Sequence, residues 1–206
     1  MITKTIAVNK LDKFIGTDLL KKAQEFNITT FVNGKQNKGW KGMVLEKLLD
    51  MDINNAQSPD GEDFELKSTA YYKVKGLWVP KETMAITMIN EASLIKNSFY
   101  NSHCYEKLKS MIFCAVTWYG QHIQKRELLK ISSFDFIENT NLINEIEADY
   151  ELIRSICIKS GFTALSGKQG KWIQPRTKGA GHGSTSRAFY AKKGLIKEII
   201  KFGKDE

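Results

Sequence analysis

The sequence predicts a mixed α/β domain, on three observations. Apolar residues recur at helical spacing near both ends and in one long stretch before the C-terminal quarter. The middle of the chain carries β-branched and aromatic runs with period-two alternation. The composition, 42% hydrophobic and 26% charged in 206 residues, is that of a globular protein with enough chain for one compact domain, or for one domain with two lobes.

Leu11 to Phe26 places Phe14, Ile15, Leu19, Leu20, Ala23 and Phe26 at helical spacing, and Trp40 to Leu49 reads as a second helix. Between them Asn33–Gly39 is a turn-rich connector. The loop Ser58–Asp63 leads into a strand, Asp63 to Val74, whose alternation puts Phe64 and Leu66 on one face and Glu65 and Lys67 on the other. After a loop at Lys75–Gly76, Thr83 to Ile89 reads as a strand, Asn101 to Lys109 as a helix, and Met111 to Tyr119 and Lys130 to Phe136 as strands. Thr140 to Ser160 is a helix burying Leu142, Ile143, Ile146, Leu152, Ile153 and Ile156. Lys171 to Lys178 is a strand, Gly179–Ser186 a Gly/Ser loop, and Leu195 to Phe202 a closing amphipathic helix. No run of apolar residues is long enough to span a membrane, and Met1 to Leu11 lacks a signal-peptide core, so a cytoplasmic location is expected. Three cysteines without a CxxC pair read as small buried side chains rather than a disulfide framework or zinc site.

The net charge of +8 is unevenly placed: from Leu152 through Lys197 there are ten Lys and Arg and no acid. A polyphosphate favours such a segment because each neutralised phosphate releases counterions. A solvated basic face would look the same. The acids of interest lie earlier. Asp60 in a turn precedes a strand that carries Glu65 and Lys67 on one face. Carboxylates brought together repel unless a cation neutralises them, and Mg²⁺ takes oxygen ligands while keeping waters for chemistry. A lysine two residues from the Glu reaches the same place, where it would stabilise developing charge. Asp63 competes with Asp60 for that role. Glu46 lies in an apolar helical stretch with Gly42 one turn earlier, leaving space beside its carboxylate. Exposed strands often carry such charges by chance, so spacing alone leaves both readings open.

Several blocks resemble the MutH-like family of PD-(D/E)xK nucleases. Lys38 to Leu49 (KGWKGMVLEKLL) is similar to the segment bearing that family's active-site Glu, and Asp60, Glu65 and Lys67 follow in its catalytic order. Pro80–Thr83, Ser102–Leu108, Trp172–Lys178 and Arg187–Tyr190 with Lys192 resemble further family blocks, in the same order along about four fifths of the chain. The gap of four residues between Asp60 and Glu65 is shorter than in MutH and looks like that of MvaI and BcnI, monomeric restriction enzymes of the same structural group. The Gly179–Ser184 loop matches no feature of the family.

The resemblance implies a restriction-endonuclease-like core of two lobes forming a DNA cleft. It implies one domain over 1–206, with a catalytic lobe at about 36–120 and a DNA-recognition part at about 160–206. By resemblance, Glu46, Asp60, Glu65, Lys67 and Lys107 are catalytic, and Asp60, Glu65 and the Leu66 carbonyl hold Mg²⁺, with Mn²⁺ able to substitute. Glu82, Lys168, Lys171, Gln174, Arg176, Lys178, His182, Ser184, Arg187, Tyr190 and Lys192 are DNA-binding candidates. Gln174 and Arg176 are expected nearer bases, where Arg pairs with guanine and Gln with adenine, and Lys168, Lys171 and Lys192 nearer phosphates. The expected activity is that of a type II restriction enzyme cutting double-stranded DNA at a short site, GATC-like if the MutH resemblance governs or CC-centred if the MvaI resemblance does. The alternatives are a mismatch-repair nicking enzyme with a MutL-type partner, and a DNA-binding protein without catalysis. A second copy of the chain is a further candidate partner.

Overall fold

A computed structural model describes residues 2–33, 35–52, 60–120, 125–178 and 185–203. In chain order the elements are α1 (Lys4–Asp12), α2 (Leu19–Glu25), β1 (Phe31–Val32), β2 (Lys35–Gln36), α3 (Trp40–Leu48), β3 (Glu65–Val74), β4 (Leu77–Pro80) and β5 (Met84–Ile89). They continue with α4 (Glu91–Lys96), α5 (His103–Leu108), β6 (Ser110–Thr117), β7 (Leu128–Asp135), α6 (Thr140–Ser160), β8 (Ile173–Thr177), β9 (Arg187–Ala191) and α7 (Lys193–Ile199). The chain forms two compact units, neither of them contiguous: 1–82 with 111–134 and 199–206, and 83–110 with 135–198.

The first unit is built on a four-stranded sheet of order β4-β3-β6-β7. β3 runs parallel to β6 from Glu65 opposite Met111 to Tyr71 opposite Thr117. Met111 through Val116 are all buried, the continuous apolar run that a parallel strand covered on both faces requires. Ala7, Leu11, Leu19, Ala23, Val44, Leu45 and Leu48 of α1–α3 pack with Leu66, Ile112, Cys114 and Val116 into one core. β4 pairs antiparallel with β3 only from Tyr71 onward, so among the described residues the start of β3 has one open edge.

Helical spacing from Leu11 to Phe26 suggested one helix, but the chain makes two. Gly16 turns at φ +83°, which only glycine adopts cheaply, and the Asp18 side chain accepts from Leu20 N at 3.1 Å to start α2. The closing helix is also shorter than its periodicity suggested. It ends at Ile199, and the Phe202 ring leaves it to sit 5.2 Å from Tyr71, with the Lys130 ammonium 5.2 Å above its centre.

The second unit carries the antiparallel sheet β5-β9-β8 and the helix α6, 21 residues long and bounded as the periodicity predicted. Its buried stripe is Ile143, Ile146, Asp149, Tyr150, Ile153 and Cys157, whereas Leu152 is exposed and Leu142 and Ile156 are half-buried. Tyr150 stacks on Phe189 of β9 at 5.4 Å, and Arg154 donates to the carbonyls of Leu94 and Ile95 at the end of α4. The three cysteines are free and buried.

Candidate functional site

The turn before β3 is fixed by close packing. Gly61 N donates to Phe64 O at 3.0 Å, and a Cβ at residue 61 would lie 2.0 Å from the Phe64 ring, so the position requires glycine. The turn delivers the half-buried Asp60, whose Oδ2 accepts from Leu66 N at 2.9 Å. In an extended strand the N–H and C=O of one residue point to the same side. The Leu66 carbonyl therefore faces the side on which Asp60 sits. Ala70 O, four residues on and of the same parity, accepts from Lys81 N on that side. Asp63 is engaged elsewhere: its Oδ1 accepts from Lys4 N at 2.7 Å, which caps α1 and removes it as a rival to Asp60.

Glu65 is 2% exposed, and its Oε1 is ion-paired with Lys67 Nζ. Glu46 reaches this group from α3, which packs on β3. Its Oε2 is buried and accepts no hydrogen bond among the described residues. Burial holds the Glu46 carboxyl above its usual range; Asp60 and Glu65 push it further and Lys67 opposes them. The space beside Gly42 is open, with nothing within 4 Å of a Cβ there. Three carboxylates and one lysine thus share one electrostatic neighbourhood within the first unit. Among the described residues, however, no three acids close into a ready-made metal cage. The donors are all oxygens and one buried carboxylate oxygen is orphaned, a set that fits a hard cation retaining several waters better than zinc or a thiophilic metal.

The charge on Glu46 has a measurable cost. A carboxyl raised above its ordinary value of 4.5 makes the folded protein bind more protons than the unfolded chain just above that pH, so this group's contribution to stability falls as pH rises through the window. Without divalent cations, Glu46→Gln is expected to unfold at a higher temperature than wild type near neutral pH. The gain should vanish below about pH 4, where the carboxyl is neutral in both states. A variant less stable than wild type at neutral pH contradicts the repulsion.

Lys107 lies on α5 in the second unit, 9% exposed, below the Ser102 side chain that caps this helix by accepting from Tyr105 N at 3.2 Å. Glu82 is exposed at the end of the first unit's first segment. In the second unit, Lys168, Arg176 and Lys178 are exposed. Arg176 Nη1 donates to Thr83 Oγ1 at 2.9 Å, and its guanidinium lies 5.5 Å from the Tyr190 ring centre, which fixes the fork. Gln174 shares the parity of Arg176 but is 7% exposed. Lys171 pairs with Glu145, Lys192 Nζ donates to Gly170 O, and Arg187 Nε donates to Leu165 O at 3.1 Å, so these three cations also hold local structure together. His182 and Ser184 lie outside the described residues.

Two groups escaped the sequence reading. Asp149 is 6% exposed and accepts from the backbone N–H groups of Lys171, Trp172 and Ile173, which sets the start of β8. Its position three residues after Ile146, inside the buried stripe, was the available signal. The second group is a cationic cavity around Lys41 and Arg126, residues 85 positions apart (126 − 41) that only the fold brings together.

A parallel-centred mixed sheet flanked by helices, with Asp60, Glu65 and Lys67 at the open start of one strand, defines a restriction-endonuclease-like fold of the PD-(D/E)xK class. Within that class the sequence matches the family described as "DNA mismatch repair enzyme MutH" over residues 49–149. It is 23% identical over 210 residues to proteins named "DNA mismatch repair protein MutH" from Haemophilus influenzae strains Rd (KW20) and 86-028NP, covering 98% of this chain and 91% of each relative. The protein of strain PittGG matches to the same extent. The chain is thus similar to the MutH-like nucleases of this class over nearly its whole length.

Proposed function

We infer that the chain is a DNA endonuclease that hydrolyses phosphodiesters with Mg²⁺. The observation that carries this reading is the meeting of Glu46, Asp60, Glu65 and Lys67 at the start of β3, with a buried carboxylate oxygen that nothing in the described chain satisfies. Asp60, Glu65 and the Leu66 carbonyl would hold the ion, with Glu46 beside them. When bound, the ion supplies charge neutralisation at the scissile phosphate and acidifies a coordinated water.

The protein's own groups do the remaining work. Lys67 Nζ is anchored by Glu65 and placed where it can orient the attacking water and stabilise negative charge as it develops on the phosphoryl oxygens. Water oxygen bonds to phosphorus in line with the departing 3′-oxygen. The P–O3′ bond breaks, a proton goes to that oxygen, and 5′-phosphate and 3′-hydroxyl ends remain. Lys107 is assigned to the neighbourhood of the scissile phosphate through the family resemblance. The acid-free basic segment from Leu152 to Lys197 supplies phosphate contacts, and Arg176 is the best-placed reader of a base edge because its fork is exposed and held on Tyr190. The unit it belongs to presents Lys168 and Lys178 to solvent as well.

The matched proteins are named for mismatch repair and align over nearly the whole chain, which favours a MutH-type nicking enzyme working with a MutL-type partner. The short Asp60–Glu65 gap favours the restriction-enzyme reading, with double-strand cleavage by the chain alone. Both readings place the protein with DNA in the cytoplasm, and no helix among the described residues is long and apolar enough to cross a membrane. Incubation of the purified chain with supercoiled plasmid and Mg²⁺ separates them. Accumulating open circles that convert to linear DNA only when a MutL-type protein is added mark the nicking enzyme, and discrete linear fragments from the chain alone mark the restriction enzyme. Binding without any cleavage in Mg²⁺ or Mn²⁺ sinks both and leaves a non-catalytic DNA-binding protein.

A further inference from the structure

The first unit contains a cavity of about 500 Å³ that the reaction above leaves unused, within the size range of small-ligand pockets. Four cations line it, Lys38, Lys41, Lys81 and Arg126, against the single carboxylate of Glu82. Like charges gathered in a concave, partly dehydrated space oppose one another and concentrate anions there.

Backbone carbonyls and a ring face hold two of these charges in place. Arg126 Nη2 donates to Gly120 O at 3.1 Å and Nη1 to Lys125 O at 2.6 Å, so two backbone carbonyls aim its guanidinium. The Lys81 ammonium lies 4.7 Å above the centre of the Trp118 ring. Lys41 is half-buried and makes no hydrogen bond or ion pair among the described residues. Burial, Arg126 and Lys81 all lower its affinity for a proton, and Glu82 only partly offsets them. Ala70, which also lines the cavity, has the opposite strand parity to Glu65 and Lys67, so the cavity opens on the other face of β3 from those two side chains.

We propose that this cavity is a phosphate-binding subsite separate from the carboxylate centre, in which Lys38, Lys41, Lys81 and Arg126 receive one phosphate group. That group comes either from the backbone of duplex DNA away from the cut position or from a free nucleotide. The first source rests on the DNA-binding half of the proposed function and not on cleavage; the second rests on neither.

The test uses the full chain and its Lys41→Met and Lys81→Met variants, which keep side-chain length and remove one charge each, with Lys41→Arg as the charge-retaining control. Binding to a duplex is measured without divalent cation across a range of salt, and thermal unfolding is followed with inorganic phosphate, pyrophosphate or ATP in the absence of DNA. If the phosphate is that of the DNA backbone, the slope of log Kobs against log salt becomes shallower by about 0.9 in each Met variant, stays at wild type in Lys41→Arg, and the small anions leave the melting temperature unchanged. If it is that of a nucleotide, ATP or pyrophosphate raises the melting temperature of wild type and of Lys41→Arg but not of the Met variants. An unchanged slope together with no anion-dependent stabilisation overturns the subsite. A wild-type chain that binds DNA but never cuts it refutes the endonuclease reading without touching these outcomes.

Discussion

Replacing Lys67 by Ala is expected to abolish DNA cleavage and to leave DNA binding almost intact. The lysine sits on β3 two residues after Glu65 and is ion-paired to it, so its charge is presented at the carboxylate centre rather than to bulk solvent. Preorganised charge of this kind, aimed at oxygens that become more negative on the way to the transition state, is worth about 10²–10³-fold in rate per group. Binding is different in character. Each phosphate contact adds a similar increment, and loss of one cation among many lowers affinity evenly across sequences and reduces the salt slope by about one unit. The variant removes one partner of the buried Glu65 carboxylate, 2% exposed, so its folding needs a control. Lys67→Arg provides one: it keeps the charge but replaces a compact ammonium with a planar fork, and is expected to fold and to cut poorly. Single-turnover cleavage measured beside a binding titration decides the matter. Wild-type cutting by a folded Lys67→Ala variant removes Lys67 from the chemistry and takes the assignment of the neighbouring acids with it.

The parts of this fold that were legible in the sequence are those whose signal is local. α6 carries a sustained 3.6-residue stripe, and β3 carries alternation that sorts Leu66 from Glu65 and Lys67, so both came out with nearly the right bounds. The two-helix start was hidden because the apolar spacing runs through the turn, and only the φ of Gly16 breaks it. β4 was missed because three of its four residues, Leu77, Trp78 and Val79, are exposed or half-buried and the strand ends on Pro80, which gives neither a buried run nor a clean alternation. The helix α4 was overlooked because Asn90 caps it through Ser93 N over just six residues, too short for a periodic signal. The division into units is not local at all. Residues 83–110 join 135–198, across a segment that belongs to the other unit, and no composition shift marks that passage.

The candidate site divides in the same way. Asp60, Glu65 and Lys67 are visible because a turn, a strand and period-two geometry bring them together within eight residues (60 to 67). Glu46 was the acid inside an apolar helix, and its buried, unpaired oxygen explains why that position is odd. Gln174 shows the limit of alternation: it has the parity of Arg176, yet the fold leaves it 7% exposed while Arg176 is open to solvent. Strand parity assigns a face, and only the packing on that face decides what can reach a ligand.

The second large effect is expected from Asp149→Ala. An acid within the apolar stripe of α6 looks like a misplaced charge, but it is the anchor of β8. Oδ1 accepts from Lys171 N at 2.7 Å, and Oδ2 accepts from Trp172 N at 2.6 Å and Ile173 N at 3.0 Å. Gly170 makes this possible: its φ of +73° brings the chain so close that a Cβ would lie 2.0 Å from Ile173 O and 3.2 Å from Asp149 Oδ2. Alanine leaves three N–H groups without their acceptor, at about 1–3 kcal/mol for each one that stays out of water. Water can reach Lys171, so a total of roughly 3 kcal/mol is reasonable, which for a chain of this size lowers the melting temperature by about 6–12 °C. Asp149→Asn retains one acceptor oxygen and turns an N–H donor toward the strand, so it should fall between alanine and wild type. Because Gln174 and Arg176 follow directly on β8, the Asn variant should also lose discrimination between cognate and non-cognate duplexes more than it loses total affinity. Thermal unfolding and paired binding titrations measure both quantities. A melting temperature within about 2 °C of wild type for Asp149→Ala shows that the strand keeps its place without the carboxylate. Equal weakening on every duplex would reduce Asp149 to a purely structural residue.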